Sequence, residues 1–208
     1  MRKSDKQSCV ERLESRKLFN GGGLDPDFGH GGIVVTDMSP IASAIDVANA
    51  LLRQKDGKII AVGTALGGSP SIAMARYNQD GTLDNTFGVK GKTLAFIYDG
   101  PATSAALQPD GKILAAGQIN AAGVARFNSD GTVDTTFNTK GYSTVFQTYA
   151  GTASAVAVQP DGSIVLSGTL NFSAAGYPVF FVARFTSTGL LDPTFGSGGS
   201  ALATFAGT

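Results

Sequence analysis

Short apolar runs separated by turn residues make up most of the chain from residue 23 onward. The runs 105–107 and 113–117 flank Pro109-Asp110-Gly111, in which Pro fixes φ, Asp tolerates a turn and Gly supplies a positive φ. Val124–Asn128 is a third apolar run, and residues 142–146 alternate large and small side chains as a strand does. The pattern predicts four antiparallel strands with tight hairpins and no helix beyond a turn or two.

This unit is written about three times along the chain. Its hairpin element recurs at 54–60, 108–114 and 159–165, and its strand-and-turn element recurs at 73–88, 123–138 and 181–196. A Leu/Val-Asp aspartate recurs at Asp25, Asp84, Asp134 and Asp192. The resulting period of roughly 50–60 residues lies in the range of propeller blades rather than of helical solenoids.

The repeat therefore predicts an all-β fold, a partial β-propeller of about three four-stranded antiparallel blades. The strands 103–108 and 153–159 are rich in Ala and Ser, and their small side chains suit the crowded central axis of a propeller. We therefore take them as the innermost strand, with which each blade begins. The blades then span about 41–97, 98–147 and 148–206. An orphan N-terminal outer strand, Ile33–Thr36, is expected before them, so that about thirteen strands are expected in all.

The repeated elements resemble the delta-60 repeat of large bacterial exported proteins. The resemblance rests on LDPDFGHGG at 24–32, LQPDGKILAAG at 107–117 and VARFNSDGTVDTTF at 124–137, and it covers about 23–208. It implies a propeller-like fold, and it supplies no catalytic residue because the biochemical role of that family is largely undefined.

Composition narrows the classes of protein that the chain can represent. Charged residues make up 15% of the sequence, and the 16 basic residues balance the 16 acidic ones. A balanced surface offers no field for nucleic acid or an anionic membrane. Cys9 is the only cysteine, which excludes an internal disulfide, and no apolar run approaches the roughly 18 residues of a membrane helix.

Residues 1–22 differ from the rest and are read as a separate N-terminal tail. They hold six basic and three acidic residues and no apolar core of a secretory signal. One interpretation is a disordered basic tail. The alternative is a sorting motif, because Leu13, Glu14, Arg16 and Leu18 resemble the LEPR-x-LL motif near the N-terminus of exported planctomycete proteins. Ser15 replaces the Pro of that motif, and Phe19 stands where the motif has its last Leu. This resemblance favours an extracellular or cell-surface location.

We predict no catalytic, cofactor-binding or metal-binding residue. A Cys/His zinc site is excluded, since His30 is the only histidine. The positions equivalent to His30 hold Val89, Thr139 and Ser197, so a catalytic role is not expected. The acidic turns at 78–84 and 128–134 superficially resemble calcium loops. They lack a closing Glu, and Asn, Asp and Gly are ordinary turn formers.

Two repeated side chains indicate structural contacts. Arg76, Arg126 and Arg184 each precede the repeated aspartate by eight residues, which predicts an Arg–Asp tie between strand and turn in every blade. Phe28, Phe87, Phe137 and Phe195 follow those aspartates. We expect the Phe side chains within complete blades to be largely buried.

The leading hypothesis for function is a non-enzymatic exported or cell-surface repeat module for adhesion, scaffolding or ligand binding. The alternative is a propeller enzyme, a hydrolase or lyase acting on sugars or lactones, with a site on the central axis. Asp46 and Asn49 are the polar exceptions on the innermost strand of blade 1.

The number of blades needed to close a propeller ring determines which partners we expect. Propellers typically need 4–8 blades, and this chain supplies three. Blades 1 and 3 are therefore expected to leave an apolar face for further repeats or for another copy of the chain. We favour an incomplete array over two chains that together supply six blades. A glycan or protein ligand is expected, with neither nucleic acid nor a membrane span.

Overall fold

The computed structural model describes residues 23–38, 45–66, 70–97, 100–172 and 177–203. Within these ranges twelve strands form three antiparallel sheets of four strands each. Blade 1 consists of β1 (Asp46–Arg53), β2 (Ile59–Ala65), β3 (Ser71–Tyr77) and β4 (Lys92–Ala95). Blade 2 consists of β5 (Ala102–Leu107), β6 (Ile113–Ile119), β7 (Ala121–Phe127) and β8 (Tyr142–Thr144). Blade 3 consists of β9 (Gly151–Val158), β10 (Ile164–Phe172), β11 (Tyr177–Phe185) and β12 (Ser200–Ala203). The only helical element among the described residues is a 3-10 turn at Phe137–Thr139.

The tight hairpins lie where the sequence predicts them. In blade 2 the amide of Gly111 donates to the carbonyl of Gln108 over 2.9 Å, and Gly111 adopts a φ of +86°. Gly57 and Gly162 take the same conformation, each with φ of +85°. A side chain with Cβ is strained at such a φ, which explains why Gly ends each of these turns.

The three blades pack side by side, and blade 2 lies between the other two. The innermost strands contact one another in the order β1, β5, β9. Alternate residues of β6 face opposite ways: Ile113 belongs to the core shared with blade 1, and Leu114 to the core shared with blade 3. The prediction of an all-β, partial propeller of about three blades is confirmed.

Each innermost strand carries one extra residue relative to its neighbour. The register shifts by one at Asn49 in β1, at Thr103 in β5 and at Ser154 in β9. Such a bulge turns a side chain out of the regular alternation of the strand. At the same point of each blade, a small polar side chain is therefore available to reach beyond its own sheet.

The expected N-terminal outer strand is not formed, and this prediction was wrong. Ile33 makes only an isolated bridge to His30, and residues 34–36 belong to no sheet. A strand needs a neighbour to satisfy its backbone groups, whereas residues 34–36 lie over the face of blade 1, where Thr36 bonds Tyr77, and not along the edge of a sheet. The tail at 1–22 lies outside the described residues.

Candidate functional site

The aspartate of the repeated turn is held by three neighbouring side chains of its own blade. In blade 2, Oδ2 of Asp134 accepts hydrogen bonds from Nε of Arg126 and Nζ of Lys112, both at 2.8 Å. Oδ1 accepts from the amide and the hydroxyl of Thr136 at 3.1 and 2.6 Å. Burial would raise the pKa of Asp134, but the bonds from Lys112 and Thr136 and the charge of Arg126 outweigh it. The pKa therefore lies well below its ordinary value, and the carboxylate stays charged.

The predicted Arg–Asp tie is confirmed in all three blades. Nε of Arg76 lies 2.7 Å from Oδ2 of Asp84, and Nε of Arg184 lies 2.7 Å from Oδ2 of Asp192. Lys58 contacts Asp84 as Lys112 contacts Asp134, whereas blade 3 has Ser163 at this position. The lysine was missed, although a Lys two residues after the hairpin Asp at 56 and 110 is a visible signal.

The same arginine also bonds the next blade. Nη1 of Arg76 donates to the carbonyl of Ser129 at 2.7 Å, and Nη1 of Arg126 donates to the carbonyl of Ser187 at 2.6 Å. Each guanidinium also lies over the Phe of its turn, 4.7 Å from the centroid of Phe87 and 4.5 Å from that of Phe137. We call this set of Arg, Asp and Phe the clamp. It joins a strand, a turn and the neighbouring blade.

The clamp Phe is buried where a blade follows. Phe87 and Phe137 have no exposed surface, which confirms the expectation for these two. Phe87 packs on Gly131 of blade 2, where an added Cβ would come within 2.7 Å of the ring. Phe195 of blade 3 is only half-buried, contrary to expectation, because no blade covers it among the described residues.

Three further kinds of hydrogen bond recur at both blade junctions. The bulge residues Asn49 and Thr103 donate to the carbonyls of Ala102 and Ala153 on the next innermost strand. Near the outer edge, hydroxyls donate to the carbonyl of the turn glycine: Thr93 to Gly131, and Ser143 to Gly189. Backbone amides complete the set, from Gly88 to Asp130 and from Asn138 to Thr188. In these three kinds of bond the donor lies on the earlier blade and the acceptor on the later one. One bond runs the other way, from the amide of Val156 in blade 3 to Oγ of Ser104 in blade 2 at 3.3 Å.

Blade 3 presents the same donor face without a partner among the described residues. Arg184 keeps its bonds to Asp192 and Thr194, but its side chain is 25% exposed against 10% for Arg76 and 8% for Arg126. Ser154, the third bulge residue, is exposed. Phe180, four residues before the clamp arginine, is 41% exposed, whereas Ile72 and Ala122 at this position are fully buried.

An N-terminal segment, residues 23–38, covers part of the opposite face, on blade 1. The amide of Gly29 donates to the carbonyl of Asp80 at 2.8 Å, as Gly88 does to Asp130 in blade 2. The hydroxyls of Tyr77 and Thr36 are 2.8 Å apart. A cavity of about 270 Å³ remains between this segment and the sheet. The segment thus imitates the turn of a preceding blade, with a looser fit.

The residues weighed for chemistry do not come together. His30 is exposed in the N-terminal segment. The amide of Met38 donates to Oδ2 of Asp46 over 2.7 Å, and Asn49 is bonded to blade 2. No group of three or more His, Cys, Asp or Glu side chains in the described residues could hold a metal ion.

The acidic turns are closed by their own hydrogen bonds. Oδ1 of Asp80 accepts from the amide and the hydroxyl of Thr82, at 2.9 and 2.7 Å, and the hydroxyl bond in particular lowers the pKa of Asp80. Asn78 donates to the same hydroxyl. These contacts are those expected of a turn.

The ends of the three inner hairpins surround a cavity of about 720 Å³. It is lined by residues 53–56, 107–111 and 158–160, one group from each blade. Arg53 and Lys55 supply positive charge, and Asp56 and Asp110 supply negative charge. We call this cavity the hairpin basin. The basin was not predicted from the sequence, because it forms where residues about 50 positions apart converge in the fold.

In the part of the chain that the structure describes, no helix is both long and apolar enough to cross a membrane.

Comparison with known families finds a match at residues 54–87, 108–137 and 159–195. The matching family model is described as "Domain of unknown function (DUF5122) beta-propeller". No curated protein matches the chain. The three matched segments each run from a hairpin to the clamp Phe, and they identify the chain as a propeller-like repeat protein.

Proposed function

We propose that the chain is a non-enzymatic repeat module, exported or displayed at the cell surface, that serves adhesion, scaffolding or ligand binding. The observation that carries this proposal is that the repeated charged side chains are taken up by contacts within and between the blades. Arg76 and Arg126 are engaged by Asp84 and Asp134 and by the neighbouring blade. General acid–base chemistry needs such groups at a reacting centre. Here they hold blades together, which suits a protein whose task is to present surfaces.

Within this proposal the hairpin basin is the site for a ligand. Every blade contributes to it, and it combines charges of both signs with a concave surface. Concave sites with a few polar groups are the usual places for small ligands. The basin is open, and its largely apolar lining with a few charged side chains suits a glycan or a loop of another protein.

Export is supported by the resemblance of residues 13–19 to a sorting motif and by the delta-60-like repeats. A test compares tagged protein on intact and on lysed cells of the organism that makes it. Protease added to intact cells should remove the tag if the chain is displayed. Protection of the tag in intact cells, with none of the chain in the culture medium, contradicts the export part of the proposal.

Ligand binding is tested on a printed glycan array with the full chain. Any glycan that binds is titrated against Arg53→Ala and Lys55→Pro; the second variant keeps the hairpin because the other two hairpins have Pro109 and Pro160 here. Lys90→Ala, in an exposed turn outside the basin, is the matched control. Binding should fall in the two basin variants alone. Equal binding by all variants would place the ligand elsewhere.

The non-enzymatic part is tested with a panel of sugar and lactone substrates followed by mass spectrometry. We expect no conversion above the background rate. Conversion that is lost in Asp46→Asn would overturn the proposal in favour of a propeller enzyme.

A further inference from the structure

We infer that the donor face of blade 3 binds blade 1 of a second copy, in the place that the N-terminal segment occupies. This inference concerns the two ends of the blade row and does not depend on any ligand or on export. It rests on the interface that the chain already forms twice, between blades 1 and 2 and between blades 2 and 3.

The donors that remain on blade 3 match acceptors on blade 1. Nη1 of Arg184 corresponds to the atom that bonds Ser129 or Ser187 in the other blades, and the equivalent carbonyl of blade 1 belongs to Gln79. The amide of Gly196 corresponds to that of Gly88, and its acceptor would be the carbonyl of Asp80. Ser154 would reach the carbonyl of Ala48. Donors and acceptors thus stand at opposite ends of one chain.

The apolar surfaces at the two ends also correspond. Phe180 and Val182 of blade 3 occupy the positions that are filled by fully buried side chains in blades 1 and 2. They would pack against Ala73 and Ala75 of blade 1. Met74 of blade 1 and Ala125 of blade 2 already share one core cluster in this way. Large side chains on the donor face and small ones on the acceptor face leave room for this contact.

The N-terminal segment is the weaker occupant of the blade 1 face. It supplies the Gly29 bond to Asp80, but among the described residues it supplies no guanidinium bond to the carbonyl of Gln79. Phe28 is only half-buried, and the cavity beneath residues 34–38 is not filled. A second copy would bring a complete clamp. The segment and the second copy compete for one carbonyl, so that displacement of the segment should favour association.

Association is measured by sedimentation equilibrium of the full chain from about 1 to 200 µM. The wild-type chain should associate head to tail with increasing concentration. Phe180→Glu places a charge on the donor face and should weaken association at least about tenfold. Val89→Glu, at a side chain that is 77% exposed on an outer turn, is the matched control and should associate like the wild type.

A second variant tests the competition and does not touch the blade cores. A Cβ at Gly29 would lie 2.5 Å from the carbonyl oxygen of Ile33, so Gly29→Val should loosen the N-terminal segment. Its association should be stronger than that of the wild type, and Phe180→Glu added to it should reverse the gain. Wild type and Gly29→Val that both remain 21.2 kDa monomers overturn the inference. Association that Phe180→Glu leaves unchanged overturns it as well.

Discussion

Arg126 of blade 2 donates a hydrogen bond to the backbone carbonyl of Ser187 in blade 3, 61 positions further along the chain. The same guanidinium bonds Asp134 of its own blade and covers the ring of Phe137. One side chain therefore stabilises both its own blade and the contact with the next blade. Its loss should cost more than the loss of an ordinary surface ion pair.

We expect Arg126→Leu to lower the free energy of unfolding by about 3–5 kcal/mol, because it removes one of the two cations paired with the buried Asp134 and the bond to the next blade. Arg184→Leu is the matched comparison, since Arg184 makes the same bond to its aspartate but is more exposed. Exposed pairs contribute about 1 kcal/mol or less. Urea unfolding monitored by circular dichroism measures both. Equal losses in the two variants would show that the cross-blade bond contributes nothing.

The clamp Phe gives a second matched pair. Phe137→Ala removes a fully buried ring between blades 2 and 3 and should cost about 3–5 kcal/mol. Phe195→Ala removes a half-buried ring and should cost clearly less. Thermal melts of both variants check the difference, and unchanged melting of Phe137→Ala would refute an anchoring role.

Substitutions at Gly131 and Gly111 distinguish the cost of backbone strain from the cost of a close contact with a neighbouring side chain. Both have a φ close to +87°, with values of +88° and +86°, so Ala at either position is strained by about 1–2 kcal/mol. At Gly131 the new Cβ would also lie 2.7 Å from the ring of Phe87, whereas at Gly111 the nearest atom is 3.8 Å away. Gly131→Ala should therefore be the more destabilising by about 1–3 kcal/mol in urea unfolding. Equal effects would mean that the ring moves aside freely.

Acid should destabilise the protein through Asp84 and Asp134. In both, hydrogen bonds from Lys and Thr and the charge of Arg outweigh the cost of burial, so the folded pKa lies below the unfolded value of about 3.9. A depressed folded pKa gives stability that is complete above about pH 5 and is lost as the pH falls through about 4 and below. The urea concentration at the midpoint of unfolding should therefore be constant above about pH 5 and should fall as the pH is lowered below that value.

The control for the acid effect is Asp134→Asn, which cannot ionise. Its stability near pH 7 should be lower than that of the wild type, and its dependence on pH below about 5 should be flatter. A wild-type midpoint that stays constant from about pH 6 to pH 3 would contradict the assignment.

The sequence predicted the parts of this fold that depend on local chemistry or on strict repetition. The turn at 109–111 requires Gly by its φ, and the eight-residue spacing of Arg126 and Asp134 places both at a strand and its turn. The acceptor on Ser187 could not be predicted, because a backbone carbonyl leaves no trace in residue identity. Ile33–Thr36 has the composition of an outer strand, but pairing is decided by a distant partner that the local sequence does not encode.

The polarity of the blade contacts has a consequence for how such a protein can change in length. Each blade donates from one side, through residues such as Arg76 and Thr93, and accepts on the other through turn carbonyls such as that of Gly131. A duplicated repeat inserted between two blades would meet a ready acceptor on one side and a ready donor on the other. Length can therefore vary by whole repeats in tandem duplication, because each added repeat brings the donors and acceptors that its neighbours need.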